Sequence, residues 1–137
     1  MNELERAVMN ALLAGEDSRL VTLREQLSVA DVAERAYTEA GFLTRFSVPG
    51  QAPRVAAPIK SPIDDVCAEL TGEEQPAGFL LWLQDGALQS LEGFSYAAKW
   101  PADAQLQRLF YVRTEPGGGR TETPERDSDE ALEPGAG

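Results

Sequence analysis

The sequence predicts an α+β domain: an N-terminal helical hairpin packed on an antiparallel β-sheet, followed by a disordered acidic C-terminal tail. Three observations carry that reading. Apolar residues recur at helical spacing from Leu4 to Leu27. From Phe42 to Val112 the apolar runs are strand-like and are separated by turn residues and prolines. From Glu115 onward the chain is rich in glycine, proline and acids and poor in anything that could form a core.

A length of 137 residues fits one hydrophobic core, with 42% apolar and 26% charged residues near the values of ordinary globular domains. The domain is expected over residues 1–114 and the tail over residues 115–137. That tail offers only Ala131, Leu132 and Ala136 as aliphatic side chains. So little apolar surface does not offset an ordering cost of roughly 1–2 kcal/mol per residue. Body and tail are both acidic, and the net charge is −11.

The first helix has Leu4, Val8, Ala11 and Leu12 on one stripe, with Asn2 as N-cap, Glu5 completing a capping box and Gly15 as a stop. Asp17 and Ser18 cap a second helix with Leu20, Leu23 and Leu27 on its apolar face. The next stretch, Val29 to Gly41, carries two patterns. Ala30, Ala33, Ala36, Tyr37 and Ala40 suit a helix capped by Ser28; a strand over Asp31 to Thr38, turning at Glu39-Ala40-Gly41, suits the run that follows. In that run Phe42, Thr44, Phe46 and Val48 alternate onto one face. Pro49 to Pro62 holds four prolines and reads as an irregular connection or flap. Strands are then expected at Val66 to Leu70, Gly78 to Gln84, Ala87 to Tyr96 and Gln105 to Arg113, with Asp85-Gly86 as a two-residue hairpin turn.

Four clusters, Gly41-Phe42-Leu43-Thr44-Arg45-Phe46, Ile63-Asp64-Asp65-Val66, Gly78-Phe79-Leu80-Leu81-Trp82-Leu83 and Leu91-Glu92-Gly93-Phe94-Ser95-Tyr96 with Trp100-Pro101, are together similar to a group of small bacterial proteins of uncharacterised function. The resemblance spans about residues 20–101 and rests on aromatic and glycine positions. It implies a strand over Asp31 to Thr38 leading into the Gly-Phe-x-Thr-x-Phe hairpin, and it loosely suggests an immunity-protein-like role.

The last cluster places Leu91, Gly93 and Ser95 on one strand face and Glu92, Phe94 and Tyr96 on the other. A carboxylate on that aromatic face needs an arginine partner or a raised pKa, and a structural ion pair is the first reading of Glu92. Trp100 reads as an aromatic lid on a sheet end and Cys67 as a buried small hydrophobe. Asp64-Asp65 lacks a calcium-loop spacing, and Gly117-Gly118-Gly119 precedes no helix and no Lys-Ser or Lys-Thr, so neither metal nor phosphate is assigned.

The chain contains no histidine, which removes the usual general base and the base on which serine and cysteine nucleophiles depend. No catalytic, cofactor or metal residue is assigned. The acid excess disfavours nucleic acid and anionic membranes. One cysteine, no long apolar run and an N-terminus unlike a signal peptide give a cytoplasmic expectation. The leading expectation is a non-enzymatic interaction protein for a basic protein partner, in the manner of a bacterial immunity protein, with Arg45, Trp82, Glu92, Tyr96 and Trp100 as candidate contacts. The alternative is a small-molecule-binding domain or divergent enzyme whose pocket lies between sheet and helices, lined by Phe42, Phe46, Trp82, Phe94, Tyr96 and Trp100. A homodimer through a sheet edge or aromatic patch is compatible with either.

Overall fold

The computed structural model describes residues 1–97 and 99–134. Two helices, α1 (Glu3–Leu12) and α2 (Ser18–Val29), lead into a seven-stranded sheet: β1 (Asp31–Tyr37), β2 (Gly41–Ser47), β3 (Val66–Leu70), β4 (Ala77–Gln84), β5 (Ala87–Ser95), β6 (Leu106–Thr114) and β7 (Arg120–Thr123). A short helix, α3 (Ser128–Leu132), follows. The strand order is β1-β2-β5-β4-β3-β6-β7, and every pairing is antiparallel. The architecture is α+β, as the patterning predicts.

Both helices start at their expected caps. Asn2 accepts from the Glu5 N–H at 2.8 Å while the Glu5 carboxylate accepts from the Asn2 N–H at 2.9 Å, which satisfies two of the unpaired first-turn donors reciprocally. Asp17 accepts from the Arg19 N–H at 2.9 Å. The side-chain hydrogen bond from Arg19 holds the Asp17 carboxyl down at about 2, against burial that would raise it.

Residues 31–37 are strand rather than helix, and β1 hairpins onto β2 with Tyr37 opposite Phe42. Helical spacing of the alanines is overridden because β2 supplies a full ladder of backbone partners for this segment. Asp85 at φ 53° and Gly86 at φ 74° form the tight β4–β5 turn, a left-handed pair that aspartate tolerates and glycine adopts without strain.

The proline-rich connection is irregular but anchored. Val55 N–H donates to the Gly86 carbonyl at 3.0 Å. Gln26, fully buried on α2, donates its amide to the carbonyls of Pro53 and Gly86 and accepts from Leu88 N–H. One side chain thus ties helix, loop and hairpin together, with both amide N–H donors and the amide oxygen engaged.

The core lies between the helices and one face of the sheet. Val8, Met9, Leu12, Leu20 and Leu23 pack with Phe42, Phe79, Leu81, Leu91, Val66, Ala68 and Leu70. Gly93 faces this core because a Cβ there would come within 2.3 Å of the Phe42 ring.

The expected disordered tail is corrected over most of its length. Residues 120–123 extend the sheet as β7, and Ala131 and Leu132 of α3 are buried in the same core as the N-terminal helices. Arg126 makes a bidentate pair with Asp65 at 2.8 and 2.9 Å and donates to the carbonyls of Leu12 and Ala14 at the end of α1. Composition misleads here because β7 orders through backbone bonds to an existing edge, and two apolar residues suffice when the surface they cover is already built. Residues 135–137 of that tail lie outside the described residues.

Candidate functional site

The pleat of the sheet divides its side chains into two sets. Thr44 bonds Glu5 of α1, so Phe42, Thr44 and Phe46 face the helices, and Leu43 and Arg45 face away. Registers carry that assignment across the sheet: Leu43 lies opposite Glu92, Glu92 opposite Leu80, and Arg45 opposite Ser90, which faces Trp82. Phe94 pairs with Gly78, Gly78 with Cys67, and Cys67 with Phe110. No helix of the described residues packs on this second face, which presents Leu43, Leu80, Trp82, Phe94 and Phe110 half-buried and Tyr96 51% exposed.

Trp82 and Glu92 form the polar centre of the open face. The Trp82 indole N–H donates to Glu92 Oε1 at 3.2 Å, and the two side chains line a shallow depression of about 350 Å³ with Leu43, Arg45 and Ser90. The ion pair expected for Glu92 is corrected: among the described residues its carboxylate has no cationic partner, and the indole N–H takes that place. Two arginines of the open face, Arg45 beside this depression and Arg108 on β6, are engaged elsewhere. Arg45 contacts Glu34 at 3.4 Å across the β1–β2 pair, both side chains being largely exposed, and Arg108 bridges Glu69 and Glu122 at 2.8 and 2.7 Å. Phe94 and Tyr96 meet edge to face at 5.2 Å beside this centre.

Four of the five candidate contacts, Arg45, Trp82, Glu92 and Tyr96, therefore share the open face. Trp100 does not. It lies against Phe42 at 5.2 Å on the helix side, at the end of the sheet. The six aromatic residues expected to line one pocket divide in the same way: Phe42, Phe46 and Trp100 lie on the covered side, and Trp82, Phe94 and Tyr96 on the open side. Between sheet and helices the apolar side chains are at or near zero exposure, and of the six aromatic residues only Phe42 and Trp100 border a common depression, at the end of the sheet beside α1.

Cys67 is buried, and burial pushes its thiol pKa up, the state of a packed sulfur rather than a nucleophile. Asp64 meets Lys60 and Arg120, while Asp65 meets Arg126, so the adjacent acids serve separate ion pairs.

Sequence reasoning missed Glu5 as anything beyond a cap. It is 1% exposed, accepts from Arg35 at 2.5 and 3.0 Å, and accepts from the Thr44 hydroxyl. Burial alone would push its carboxyl up, but the bonds from Arg35, Thr44 and Asn2, with the Arg35 charge, hold it below the ordinary range. No spacing rule links residue 5 to residue 35. Leu43 and Phe110 were legible as the alternate positions of their strands.

The fixed geometry of the open face suits recognition. A rigid sheet presents aromatic surface around one carboxylate whose neighbours are two leucines and an indole, and a cationic side chain seated there would meet both charge and ring. No helix of the described residues is long and apolar enough to cross a membrane. Comparison with family models, with curated proteins and with solved structures gives no match to this chain.

Proposed function

We propose that this chain is a non-enzymatic binding module that receives a basic protein partner on the open face of its sheet, in the manner of bacterial immunity proteins. The observation that carries the reading is Glu92, a carboxylate set among Leu43, Leu80 and Trp82 with no cation of its own among the described residues. An arginine or lysine from a partner completes that site by pairing with Glu92 and stacking on Trp82, a contact worth about 0.5–2 kcal/mol for the ring alone. The net charge of −11 steers such a partner and makes its association rate salt-dependent. The same charge opposes a second copy of the chain as occupant.

The test is retention of a partner from an extract of the source cell at low and moderate salt, with Trp82→Ala and Glu92→Lys in parallel. A stoichiometric basic protein held by the wild type and lost by both variants supports the proposal. Retention by both variants places binding elsewhere and overturns it. Light scattering covers the competing occupant: a dimer mass at tens of micromolar that collapses to monomer in Trp82→Ala would assign the face to self-association instead.

A further inference from the structure

Three aromatic rings meet at the end of the sheet beside the first turn of α1, on the opposite side from Trp82 and Glu92. Tyr37 closes β1 and is 64% exposed; Phe42, its register partner on β2, is nearly buried beneath it. Trp100 arrives on the crossing from β5 to β6, fixed by its N–H donating to the Glu39 carbonyl at 2.7 Å. The Phe42 ring pairs with Tyr37 at 6.4 Å and with Trp100 at 5.2 Å and 68°. Tyr37 and Trp100 thus flank Phe42, and the three help to line a depression of about 410 Å³.

The remaining wall is mixed, with Asn2, Glu3, Asp103 and Gln105 beside Leu4, Ala102 and Ala104, and it holds no base. Glu3 and Asp103 are both exposed at the rim, and none of the lining residues is lysine or arginine. The positive end of the α1 dipole, which would oppose a cation, is already met by the Asn2–Glu5 capping box. A small hydrated metal ion needs several converging oxygens, which this wall does not supply. A large, weakly hydrated cation needs ring surface and diffuse negative charge, and the depression brings the exposed Tyr37 and half-buried Trp100 together with Glu3 and Asp103, with Phe42 packed behind the two rings.

We propose that the Tyr37–Phe42–Trp100 depression is a binding site for a quaternary or fully methylated ammonium group. The site is independent of the partner surface, since the two lie on opposite sides of the sheet. Two sources share that chemistry: a free small molecule such as choline, and a trimethylated lysine side chain.

The full chain carrying Trp82→Phe, which leaves Trp100 as the one indole, is titrated with choline and with its uncharged isostere 3,3-dimethyl-1-butanol, following Trp100 fluorescence. Saturable binding of choline, at least about tenfold tighter than the isostere, is expected. Tyr37→Ala and Asp103→Asn, both at exposed positions, should each weaken it several-fold and leave the urea midpoint unchanged. Equal response to choline and isostere, no saturation up to tens of millimolar, or full binding in both variants overturns the proposal. A parallel titration with N-acetyl-trimethyllysine amide separates the sources: tighter binding than choline assigns the site to a modified side chain, and weaker binding to a free ammonium compound.

Discussion

The two faces of one sheet handle polar groups in opposite ways. On the covered face every buried acid is closed off within the chain: Glu5 by Arg35 and Thr44, and Asp65 by Arg126. On the open face Glu92 is left with an indole N–H. The strands are the same and the pleat is the same, so the difference lies in what each face must exclude. A face sealed from water cannot hold an unpaired charge, whereas a face open to water can. The comparison can be broken by substitutions placed on either side.

The largest effect is expected at the C-terminal segment, which completes the covered face. Ending the chain at Thr114 removes β7, Ala131, Leu132 and the cation paired with Asp65, whose own side chain is 4% exposed. Loss of a partner from a buried ion pair costs about 3–5 kcal/mol, and loss of core side chains adds to it, which together rivals the whole stability of a domain. Truncated protein should fail to show a cooperative urea transition. Arg126→Ala alone should cost about 3–5 kcal/mol in the same measurement. A truncated chain melting within a few degrees of the full one would restore the disordered tail.

Arg35→Ala is next. It strands the Glu5 carboxylate with only Thr44 and the Asn2 N–H, and a loss of about 3 kcal/mol at neutral pH is expected. The pH dependence gives the sharper readout. Glu5 in the intact fold lies below its ordinary 4.5, so its stabilising contribution is complete above that value and is lost as pH falls through the folded pKa. Without Arg35, burial is opposed only by the Thr44 and Asn2 bonds, and the expected outcome is a folded pKa above the unfolded one. Stability from this group should then be present in acid and be lost as pH rises, reversing the sign of the slope. Urea midpoints of both proteins between pH 3 and 7 decide it; parallel curves would show that Arg35 is not what holds Glu5 ionised.

A third test makes one change on each face. A Cβ at Gly93 would press on the Phe42 ring at 2.3 Å, inside a filled core; a Cβ at Gly78 would meet the Phe94 ring at 2.6 Å, on the open side. Gly93→Ala should cost about 1–3 kcal/mol because Phe42 has nowhere to move. Gly78→Ala should cost less than about 1 kcal/mol, since Phe94 can swing toward solvent. Equal costs would mean that the open face is as rigidly packed as the core.

These contrasts also mark what the sequence can and cannot show. The capping residues Asn2, Glu5 and Asp17, the Asp85-Gly86 turn and the alternation from Leu91 to Tyr96 are local signals, and each element forms where they place it. Arg45, Trp82, Glu92 and Tyr96 share one face because strand alternation is itself local and only register had to be added. Trp100 lies at the sheet end, where the lid reading put it, but which face it joins was not legible because it lies outside any strand, on a crossing whose path depends on the sheet order. The C-terminal segment was misread because its residues are judged poor core formers in isolation, while the fold asks of them only an edge pairing, one arginine and two small apolar contacts. Glu5 and Arg35 meet through tertiary packing alone.

The smallest stability effect is expected at Glu92, one half of the most diagnostic pair, glutamate to glutamine on each face. Glu5→Gln removes the charge that Arg35 and Thr44 were built around, and losing charge-assisted bonds in a buried site costs about 1.5–3 kcal/mol. Glu92→Gln keeps an amide oxygen able to accept from the Trp82 indole and sits beside solvent, so the urea midpoint should shift by less than about 0.5 kcal/mol equivalent. Affinity for a basic partner should respond the other way. Glu92→Gln should weaken it about tenfold or more and flatten its salt dependence, because the partner's cation loses its counter-charge in a partly desolvated site. Glu5→Gln, measured where it is still folded, should leave that affinity unchanged. If Glu92→Gln instead destabilised the fold as much as Glu5→Gln does, the open-face carboxylate would be a structural group and its exposure to a partner would explain nothing.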